Sequence, residues 1–343
     1  MKIFLDIDGS TGEGGGQVLR TALALSLHTG KPFRISNIRA KRKKPGLLHQ
    51  HLTAVRAARE ISGAETQGEE LGSTSLTFIP YPVHPGHYHF SIGTAGSTTL
   101  VLQTILYPLL FAQGESHLTL EGGTHAMYSP PFEFIKEVFL PLLKQMGGDV
   151  EVNLKRYGFY PKGGGQLLVK IMPVSQLKGL EILSRGKLLA KEAKALVAGI
   201  PEHIAQRELF RLEEQFKWPT NCLQSMVLPA YQGPGNVLWI KLVSEGITEL
   251  FTGFGQRGVR AEEVAEKVAT MVQDYLAIET PVGEYLADQL LLPLALAGKG
   301  KFLSCAPSLH TLTNKEIIQM FLPVLITIVQ IERGKWEIQV TQK

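Results

Sequence analysis

The sequence predicts an α+β protein in which three βαβαββ repeats form a large domain and a smaller α/β domain is inserted. Two observations lead to this fold class. The same order of strand-like and helix-like segments recurs over about residues 1–82 and 85–173, which indicates an internal duplication. A third copy of this order ends the chain, but a segment with an order of its own interrupts it after the first strand.

The first two repeats can be followed segment by segment. The first reads strand "KIFLDID", a glycine-rich loop, helix "QVLRTALALSL", strand "FRISNI", a basic loop, helix "HLTAVRAAREI", and strands around "AETQGEEL" and "SLTFIP". The second runs from strand "HYHFSI" through helix "TTLVLQTILYPLLFA", strand "HLTLEG" and helix "FEFIKEVFLPLLKQM" to strands "DVEVNL" and "GQLLVKIM". Apolar residues recur at helical spacing in the helices and alternate in the strands.

The third repeat takes its first strand from "LEILSR" and continues with helix "VGEYLADQLLLPLALAG", strand "KFLSCA", helix "NKEIIQMFL" and a closing hairpin. We therefore predict a large domain of residues 1–185 plus 278–343, whose third repeat is 176–185 with 278–343. The remaining residues, 186–277, have two amphipathic helices and several strands, which suits a small inserted domain.

The composition indicates a compact protein of the cytoplasm. Hydrophobic residues make up 44% and charged residues 19%, which excludes general disorder. The longest apolar runs are too short for a membrane span, and no signal-like segment opens the chain. Cys222 and Cys305 lie far apart without a pairing pattern, so we expect neither a disulfide nor a structural zinc site. The composition leaves both a monomer and a homodimer open.

A short basic segment stands out in a chain whose net charge is only +4. The stretch "RAKRKKPG" gathers five cations between Arg39 and Lys44. Such a cluster attracts anions, and phosphate binding and a solvated loop are both consistent with it.

The loops before the helices are expected to meet, because similar repeats packed around one centre bring equivalent loops together. These loops hold the unusual residues, in "GSTGEGGGQ", "GTAGSTT", "VGEYLADQ", "RAKRKKPGLLHQH", "GGTHAMYSPP" and "CAPSLHTLTN". Helix N-termini also present free N–H groups and a positive dipole end, which favour phosphates. His310 occupies in the third repeat the place that the basic segment and His51 occupy in the first.

Glu13 is a candidate metal ligand. It lies in "GEGGGQ", which has neither the P-loop lysine nor the G-x-G-x-x-G spacing. A glycine run still lets a ligand approach the backbone, and one carboxylate suits a hard divalent cation. A tight turn with Glu13 in solvent is the alternative.

Two helices carry polar residues that could bind a nucleotide. "GEYLADQ" places Tyr285, Asp288 and Gln289 on one side of a helix, where a tyrosine can stack on a base. An ordinary amphipathic helix start explains the same residues. Gln103 lies in an apolar helix, so its amide needs a partner, either a ligand or a neighbouring loop.

His310 has three possible functions in a phosphate-rich site: general base, hydrogen-bond donor or nucleophile. The sequence has no G-x-S-x-G motif, and the other histidine clusters lack a completing set of metal ligands. Attack by nitrogen on phosphorus is the chemistry most consistent with this setting. Gln50 and His51, beside the basic segment, are candidates for phosphate contact.

The chain resembles the RNA 3'-terminal phosphate cyclase family from end to end. The resemblance rests on "DGSTGEGGGQVLR", "IRAKRKKPGLLHQHLTAV", "GSTTLVLQT", "YGFYPKGGG", "GEYLADQL" and "PSLHTLTN". It implies three repeats of the translation-initiation-factor C-terminal type, an inserted domain, and ATP-dependent conversion of an RNA 3'-phosphate end to a 2',3'-cyclic phosphodiester. Tyr157 departs from the pattern, since family members often have histidine there.

The resemblance also implies residue roles. His310 would attack the α-phosphorus of ATP and form a histidine-AMP adduct, AMP would pass to the RNA 3'-phosphate, and the 2'-hydroxyl would close the ring. Glu13 would hold Mg²⁺ or Mn²⁺. The nucleotide site would be lined by Gln103, Pro130, Tyr285, Leu286, Ala287, Asp288 and Gln289. The ATP phosphates or the RNA end would be contacted by Arg20, Arg39, Arg42, Gln50 and His51.

Two other classes of function stay open. One is a cyclase-like ribosome-assembly factor that binds RNA without catalysis; the resemblance implies that such relatives lack the nucleophilic histidine, so His310 argues against it. The other is an enolpyruvyl transferase, which uses repeats of the same order but needs more of them than this chain length holds.

Overall fold

The computed structural model of the chain describes residues 3–343, and its strands form four mixed sheets with helices packed on them. The first sheet has the order β1-β2-β4-β3. Its strands and helices are β1 (Leu5–Asp8), α1 (Gly16–Thr29), β2 (Phe33–Ser36), α2 (His49–Ser62), β3 (Glu65–Gln67) and β4 (Leu76–Ile79). The α+β class predicted from the sequence is what the chain adopts.

The second sheet has the same arrangement, with the order β5-β6-β8-β7. Its elements are β5 (His87–Ser91), α3 (Thr98–Leu110), β6 (Ser116–Gly122), α4 (Phe132–Phe134), α5 (Leu140–Gln145), β7 (Asp149–Arg156) and β8 (Gly165–Met172). The helix predicted over 132–146 contains a π-helical turn, Ile135–Phe139, between α4 and α5. Pro141 has no N–H and its ring crowds the carbonyl four residues earlier, so the α-helical bonding cannot continue through it.

The next strand, β9 (Glu181–Ile182), belongs to the sheet of the third repeat. The predicted insertion follows it and forms a sheet of its own, with the order β11-β10-β12-β13. Its elements are β10 (Leu188–Ala198), α6 (His203–Phe216), β11 (Leu223–Leu228), β12 (Gly235–Ser244), β13 (Thr248–Phe254) and α7 (Ala261–Ala277). Buried residues of the sheet and both helices form a separate apolar cluster. The exact domain boundaries stay a prediction.

The chain then completes the sheet of the third repeat, whose order is β15-β16-β14-β9. The elements are α8 (Glu284–Ala297), β14 (Gly300–Ser304), α9 (Leu309–Phe321), β15 (Val324–Glu332) and β16 (Lys335–Gln342). β9 is shorter than the strand predicted from "LEILSR", because only Glu181 and Ile182 pair with β14.

Three sheets therefore share one topology. In each, the first strand is parallel to the second, and the last two are joined by antiparallel pairing. The loops that follow the carboxyl ends of the parallel strands are the loops that enter the helices, and such ends are where open sheets bind ligands.

Helix α1 lies at the centre of the packing, against α2, α3 and α9. Val18, Leu19, Ala22 and Leu23 are each fully buried, and a helix that is apolar on all sides belongs to the core. Its first turn nevertheless contains a buried amide, Gln17. Among residues 3–343, no helix is long and apolar enough to cross a membrane.

Candidate functional site

A chain of hydrogen bonds links the first turn of α1 to α8 and α9. Oε1 of Gln17 lies 2.8 Å from Nδ1 of His310, and the Gln17 amide nitrogen donates to Oδ1 of Asp288. Asp288 also accepts from Nδ2 of Asn314 at 3.2 Å and from Nε2 of Gln289 at 3.1 Å. The Asp288 carboxylate thus orients the amides of Gln17, Gln289 and Asn314. Through Gln17 it also orients the His310 imidazole.

These bonds decide which nitrogen of His310 carries the proton. A carboxylate only accepts, so the Gln17 nitrogen faces Asp288 and its oxygen faces the imidazole. Nδ1 of His310 therefore donates, and Nε2 of the neutral ring keeps its lone pair. The side chain is 49% exposed at the second position of α9, whose N-cap Ser308 accepts from the Thr311 N–H. A lone pair held at an accessible position can act as a nucleophile or a base.

Burial favours the neutral form of this imidazole. Burial lowers the pKa of His310, Asp288 opposes the shift, and Arg20 and Arg42 add to it. Burial also raises the pKa of Asp288, against the opposing effect of His310. Arg20 lines a cavity together with Gln17 and Asp288, and burial lowers its pKa to about 10, so it remains a cation at neutral pH.

Glu13 places a carboxylate beside the imidazole. Its Oε1 lies 3.8 Å from Nε2 of His310 and forms an ion pair with Arg42. Both oxygens are buried, and apart from the Arg42 ion pair they have no hydrogen-bond donor among the described residues. A buried carboxylate with lone pairs to spare fits a divalent cation such as Mg²⁺ or Mn²⁺. Within residues 3–343 no group of three His, Cys, Asp or Glu could hold a metal, so the other ligands would be water and phosphate oxygens.

The basic segment lies over the glycine-rich loop. Lys41 donates through Nζ to the carbonyl of Gly12 at 2.9 Å, and Arg42 reaches Glu13. Arg39 instead turns back and donates to the carbonyl of Lys44 at 2.6 Å. Of the three arginines predicted to contact phosphate, Arg20 and Arg42 lie beside the bonded chain that contains His310, and Arg39 bonds to its own loop.

His51 belongs to α2, and its side chain packs against the start of α1. It is 3% exposed, and its Nδ1 accepts from the Leu48 N–H at 3.3 Å, so Nε2 carries the proton of the neutral ring. Burial lowers the pKa of His51 to about 3, and Arg20 acts in the same direction. A Cβ on Gly16 would lie 2.3 Å from Nε2, so the ring reaches the helix start only because residue 16 is glycine.

Helix α8 presents the predicted nucleotide-binding stretch. Gln103 of α3 donates to Oε1 of Gln289, which is the partner that its amide requires. Tyr285 is 56% exposed, whereas Leu286 and Ala287 are buried and have only backbone to offer a ligand. Gln103 and Gln289 line a cavity of about 50 Å³, which is large enough for water.

The inserted sheet holds the start of α8. Glu249 of β13 is 3% exposed, and its Oε1 accepts from the N–H of Gly283, the N-cap, at 2.6 Å. Burial raises the pKa of Glu249 to about 8. A hydrogen bond from the Gly283 N–H to Glu249 therefore joins the inserted sheet to α8, the helix that carries Asp288 and Gln289.

Gln50 and Pro130 both lie at the start of α3. Oε1 of Gln50 accepts from the Ser97 N–H at 2.9 Å. The Pro130 carbonyl accepts from Oγ1 of Thr99 at 2.7 Å. These bonds place both residues beside the second repeat's helix start, rather than in the bonded chain that contains His310.

The second residue of the second helix differs among the three equivalent sheets: Gln50 in α2, Glu133 in α4 and His310 in α9. Glu133 lies 2.7 Å from Nε2 of the buried His125. Tyr157 stacks on His125 with ring centroids 5.0 Å apart. Tyr157, the departure from the family pattern, thus packs on a buried histidine of the second repeat that is in contact with Glu133.

Sequence reasoning gave no role to Gln17, Thr21 or Asn314. Oγ1 of Thr21 donates to Oδ1 of Asn314 at 2.8 Å, which orients the Asn314 amide toward Asp288. The sequence does contain a signal: polar residues recur four positions apart on two helices, as Gln17 with Thr21 and His310 with Asn314. Where such residues are buried, their polar groups must bond to something across the interface.

The fold and the site together define an α+β protein of repeated sheets that presents a histidine, a buried carboxylate and a basic loop in one polar site. A sequence model described as RNA 3'-terminal phosphate cyclase matches residues 11–328. The chain belongs to the RNA 3'-terminal phosphate cyclase family.

Relatives of that name resemble the chain over nearly their whole length. The protein from Koribacter versatilis is 52% identical over 93% of this chain and 90% of its own length. The one from Ectopseudomonas mendocina is 49% identical over 96% of both chains. The one from Salmonella paratyphi C is 48% identical over 100% of this chain and 99% of its own.

A solved structure, the enolpyruvyl transferase NikO from Streptomyces tendae, aligns with a TM-score of 0.29 and 14% identity. The alignment covers 50% of this chain and 33% of the transferase. This likeness carries no argument about fold or function.

Proposed function

We propose that this protein is an ATP-dependent RNA 3'-terminal phosphate cyclase that works through a covalent histidine-AMP intermediate on His310. The observation that carries the proposal is the bond between Gln17 and His310. It leaves the Nε2 lone pair free on a half-exposed side chain, 3.8 Å from the Glu13 carboxylate. The names of the relatives supply the substrate class, RNA with a 3'-terminal phosphate.

In the first step, Nε2 of His310 attacks the α-phosphorus of ATP. The N–P bond forms as the bond to the bridging oxygen breaks, and pyrophosphate leaves. Arg20 and Arg42 would neutralise charge on the phosphates, and Tyr285 would stack on the base. A divalent cation held by Glu13 would withdraw electron density from the phosphate oxygens.

The next two steps transfer the activation to the RNA. An oxygen of the RNA 3'-phosphate attacks the phosphorus of the histidine adduct, so the P–N bond breaks and a phosphoanhydride forms. The neighbouring 2'-hydroxyl then attacks the RNA phosphorus, AMP leaves, and the hydroxyl proton is released as the ring closes. The neutral imidazole is restored with its Nε2 lone pair free.

Adenylylation without RNA tests the proposal. Purified protein is incubated with ATP labelled at the α-phosphate and Mg²⁺, then denatured, and the chain is tested for label that is stable to alkali and labile to acid. We expect label on the wild type and on His203→Ala, an exposed histidine at the start of α6, but none on His310→Ala. Label on His310→Ala would remove the histidine from the mechanism, and its absence from every form would favour a binding protein without catalysis.

A further inference from the structure

Two exposed tyrosines lie at one end of the second sheet and take no part in the site above. Tyr128 follows β6 and is 96% exposed; Tyr160 follows β7 and is 73% exposed. β6 and β7 are both antiparallel to β8, so their carboxyl ends, and the loops after them, lie at the same end of the sheet. Two solvated aromatic rings at one sheet end are a candidate interaction surface.

The inserted sheet adds a third exposed ring beside them. Tyr231, between β11 and β12, is 69% exposed. Nζ of Lys162 donates to the Tyr231 carbonyl at 2.8 Å, and the Tyr157 N–H donates to Oε1 of Gln232 at 3.0 Å. Two bonds thus hold the loop of Tyr160 against the loop of Tyr231.

The charge of these loops favours a polyanion. Four segments at this end contain no Asp or Glu: residues 92–97, 123–131, 157–164 and 229–234. Lys162 is exposed in one of them, and Lys155 and Arg156 are exposed where β7 ends. Proteins bind single-stranded nucleic acid on surfaces that combine aromatic rings with positive charge. This end of the sheet has both, and its four loop segments contain no acidic residue.

The surface continues to the phosphate side of the site. Gly163 has φ +67°, and a Cβ there would lie 2.7 Å from the Thr94 carbonyl oxygen, so the loop of Tyr160 packs directly on residues 92–97. That segment leads to Ser97, which is bonded to Gln50. The next residue, His51, lies against Gly16 at the start of α1.

We propose that Tyr128, Tyr160 and Tyr231, with Lys162, form a stacking surface for the unpaired nucleotides that precede the 3' end of an RNA substrate. The inference rests on the proposed function, because an RNA end placed at His310 leaves its upstream nucleotides to cross the neighbouring loops. Every base has a face that can stack on an aromatic ring. Recognition here would therefore depend on RNA length and little on base identity.

The test compares two substrates: a dinucleotide and an unstructured decanucleotide, each with a 3'-phosphate. We expect Tyr160→Ala and Tyr231→Ala each to raise KM for the decanucleotide about 10-fold. KM for the dinucleotide and labelling by ATP alone should be unchanged, because neither uses the surface. Tyr160→Phe and Tyr231→Phe keep the ring and should retain the wild-type KM.

Phe210→Ala is the matched control, since Phe210 is 60% exposed on α6 outside these loops. If the wild type cyclises both substrates and the alanine variants leave the ratio of the two KM values unchanged, the stacking surface is wrong and the proposed function stands. If the wild type cyclises neither substrate, the proposed function fails, and this inference fails with it. A normal melting temperature for each variant, expected for exposed side chains, excludes unfolding as the cause.

Discussion

Nδ1 of His310 lies 2.8 Å from Oε1 of Gln17, a residue 293 positions away in the chain. Gln17 is held in turn by Asp288, so the third repeat orients its own histidine through an amide of the first. A neutral imidazole can rotate or change tautomer unless its second nitrogen is fixed. Gln17 is therefore a positioning residue for His310.

Gln17→Ala should slow labelling of His310 by about 10-fold or more at saturating ATP, because one orienting hydrogen bond is removed. KM for ATP should change little, since Gln17 is assigned no contact with the nucleotide. Single-turnover labelling separates the two constants. Ser26→Ala, which removes a buried hydroxyl farther along α1, is the control. It should leave both the labelling rate and KM for ATP unchanged. A raised KM at an unchanged rate would show that Gln17 binds ATP instead.

The pH dependence of labelling should move in opposite directions in two variants. Attack needs the neutral imidazole, so the rate falls as pH drops through the pKa of His310. Arg20 lowers that pKa and Asp288 raises it. Arg20→Gln should shift the acid limb to higher pH, and Asp288→Asn should shift it to lower pH. Rates from about pH 4 to 8 at saturating ATP give the limb; shifts in the same direction would contradict this electrostatic assignment.

Glu13→Gln should raise the Mg²⁺ concentration needed for half-maximal labelling by about 10-fold or more, because the carboxylate charge is what a hard cation binds. A titration of labelling against Mg²⁺ measures this directly. Glu70→Gln, an exposed carboxylate of the same repeat, serves as the control. An unchanged Mg²⁺ requirement would remove Glu13 from the metal site.

Reversal of charge at Lys43 and Lys44, both exposed, should weaken RNA binding. The slope of log K against log salt should become shallower by about 0.7 for each phosphate of a single strand that the protein no longer neutralises. Fluorescence anisotropy over a salt series gives the slope. Lys267→Glu on α7, a single charge reversal elsewhere on the surface, is the control for each lysine reversed singly. An unaltered slope would make the basic segment an ordinary solvated loop.

Glu249→Gln should make stability less dependent on pH. The folded state raises the pKa of Glu249 from 4.5 to about 8, so the unfolded chain releases this proton first. The free energy of unfolding therefore falls as pH rises from 4.5 to about 8, by at most about 5 kcal/mol. Gln keeps an oxygen for the Gly283 N–H and does not titrate.

Urea denaturation at about pH 5 and about pH 8.5 checks this prediction. The wild type should lose more stability between the two pH values than Glu249→Gln does. Glu266→Gln, an exposed carboxylate of α7, should behave as the wild type. Equal losses in wild type and Glu249→Gln would mean that the carboxyl is ionised inside the fold.

The fold class followed from the sequence because strand and helix periodicities are local, and their order repeats. Features that depend on distant contacts did not follow. Gln17 reads as a polar residue at a helix start, and only its bond to His310 reveals its part in the site. The π-helical turn before Pro141 and the two-residue pairing of β9 likewise depend on backbone bonding, which periodicity does not resolve.

The roles of the individual site residues stay predictions, but their placement has a physical pattern. Residues predicted from the helix-start loops, such as Glu13 and His310, come together because three sheets present equivalent ends. The phosphate contact predicted for Arg39 stays a prediction; in this structure the turn of its loop directs the guanidinium to the Lys44 carbonyl. Side-chain direction in a loop is set by backbone angles that sequence spacing does not fix.

One helix position, filled by Gln50, Glu133 and His310 in three equivalent sheets, shows a division of labour among copies of one architecture. The glutamine joins neighbouring repeats, the glutamate bonds to a buried histidine, and only the last copy has an exposed imidazole. If the proposed function holds, one copy supplies the reactive group and the other two copies have structural roles. The three sheets therefore share one strand order, while the side chains at this equivalent helix position differ in chemistry.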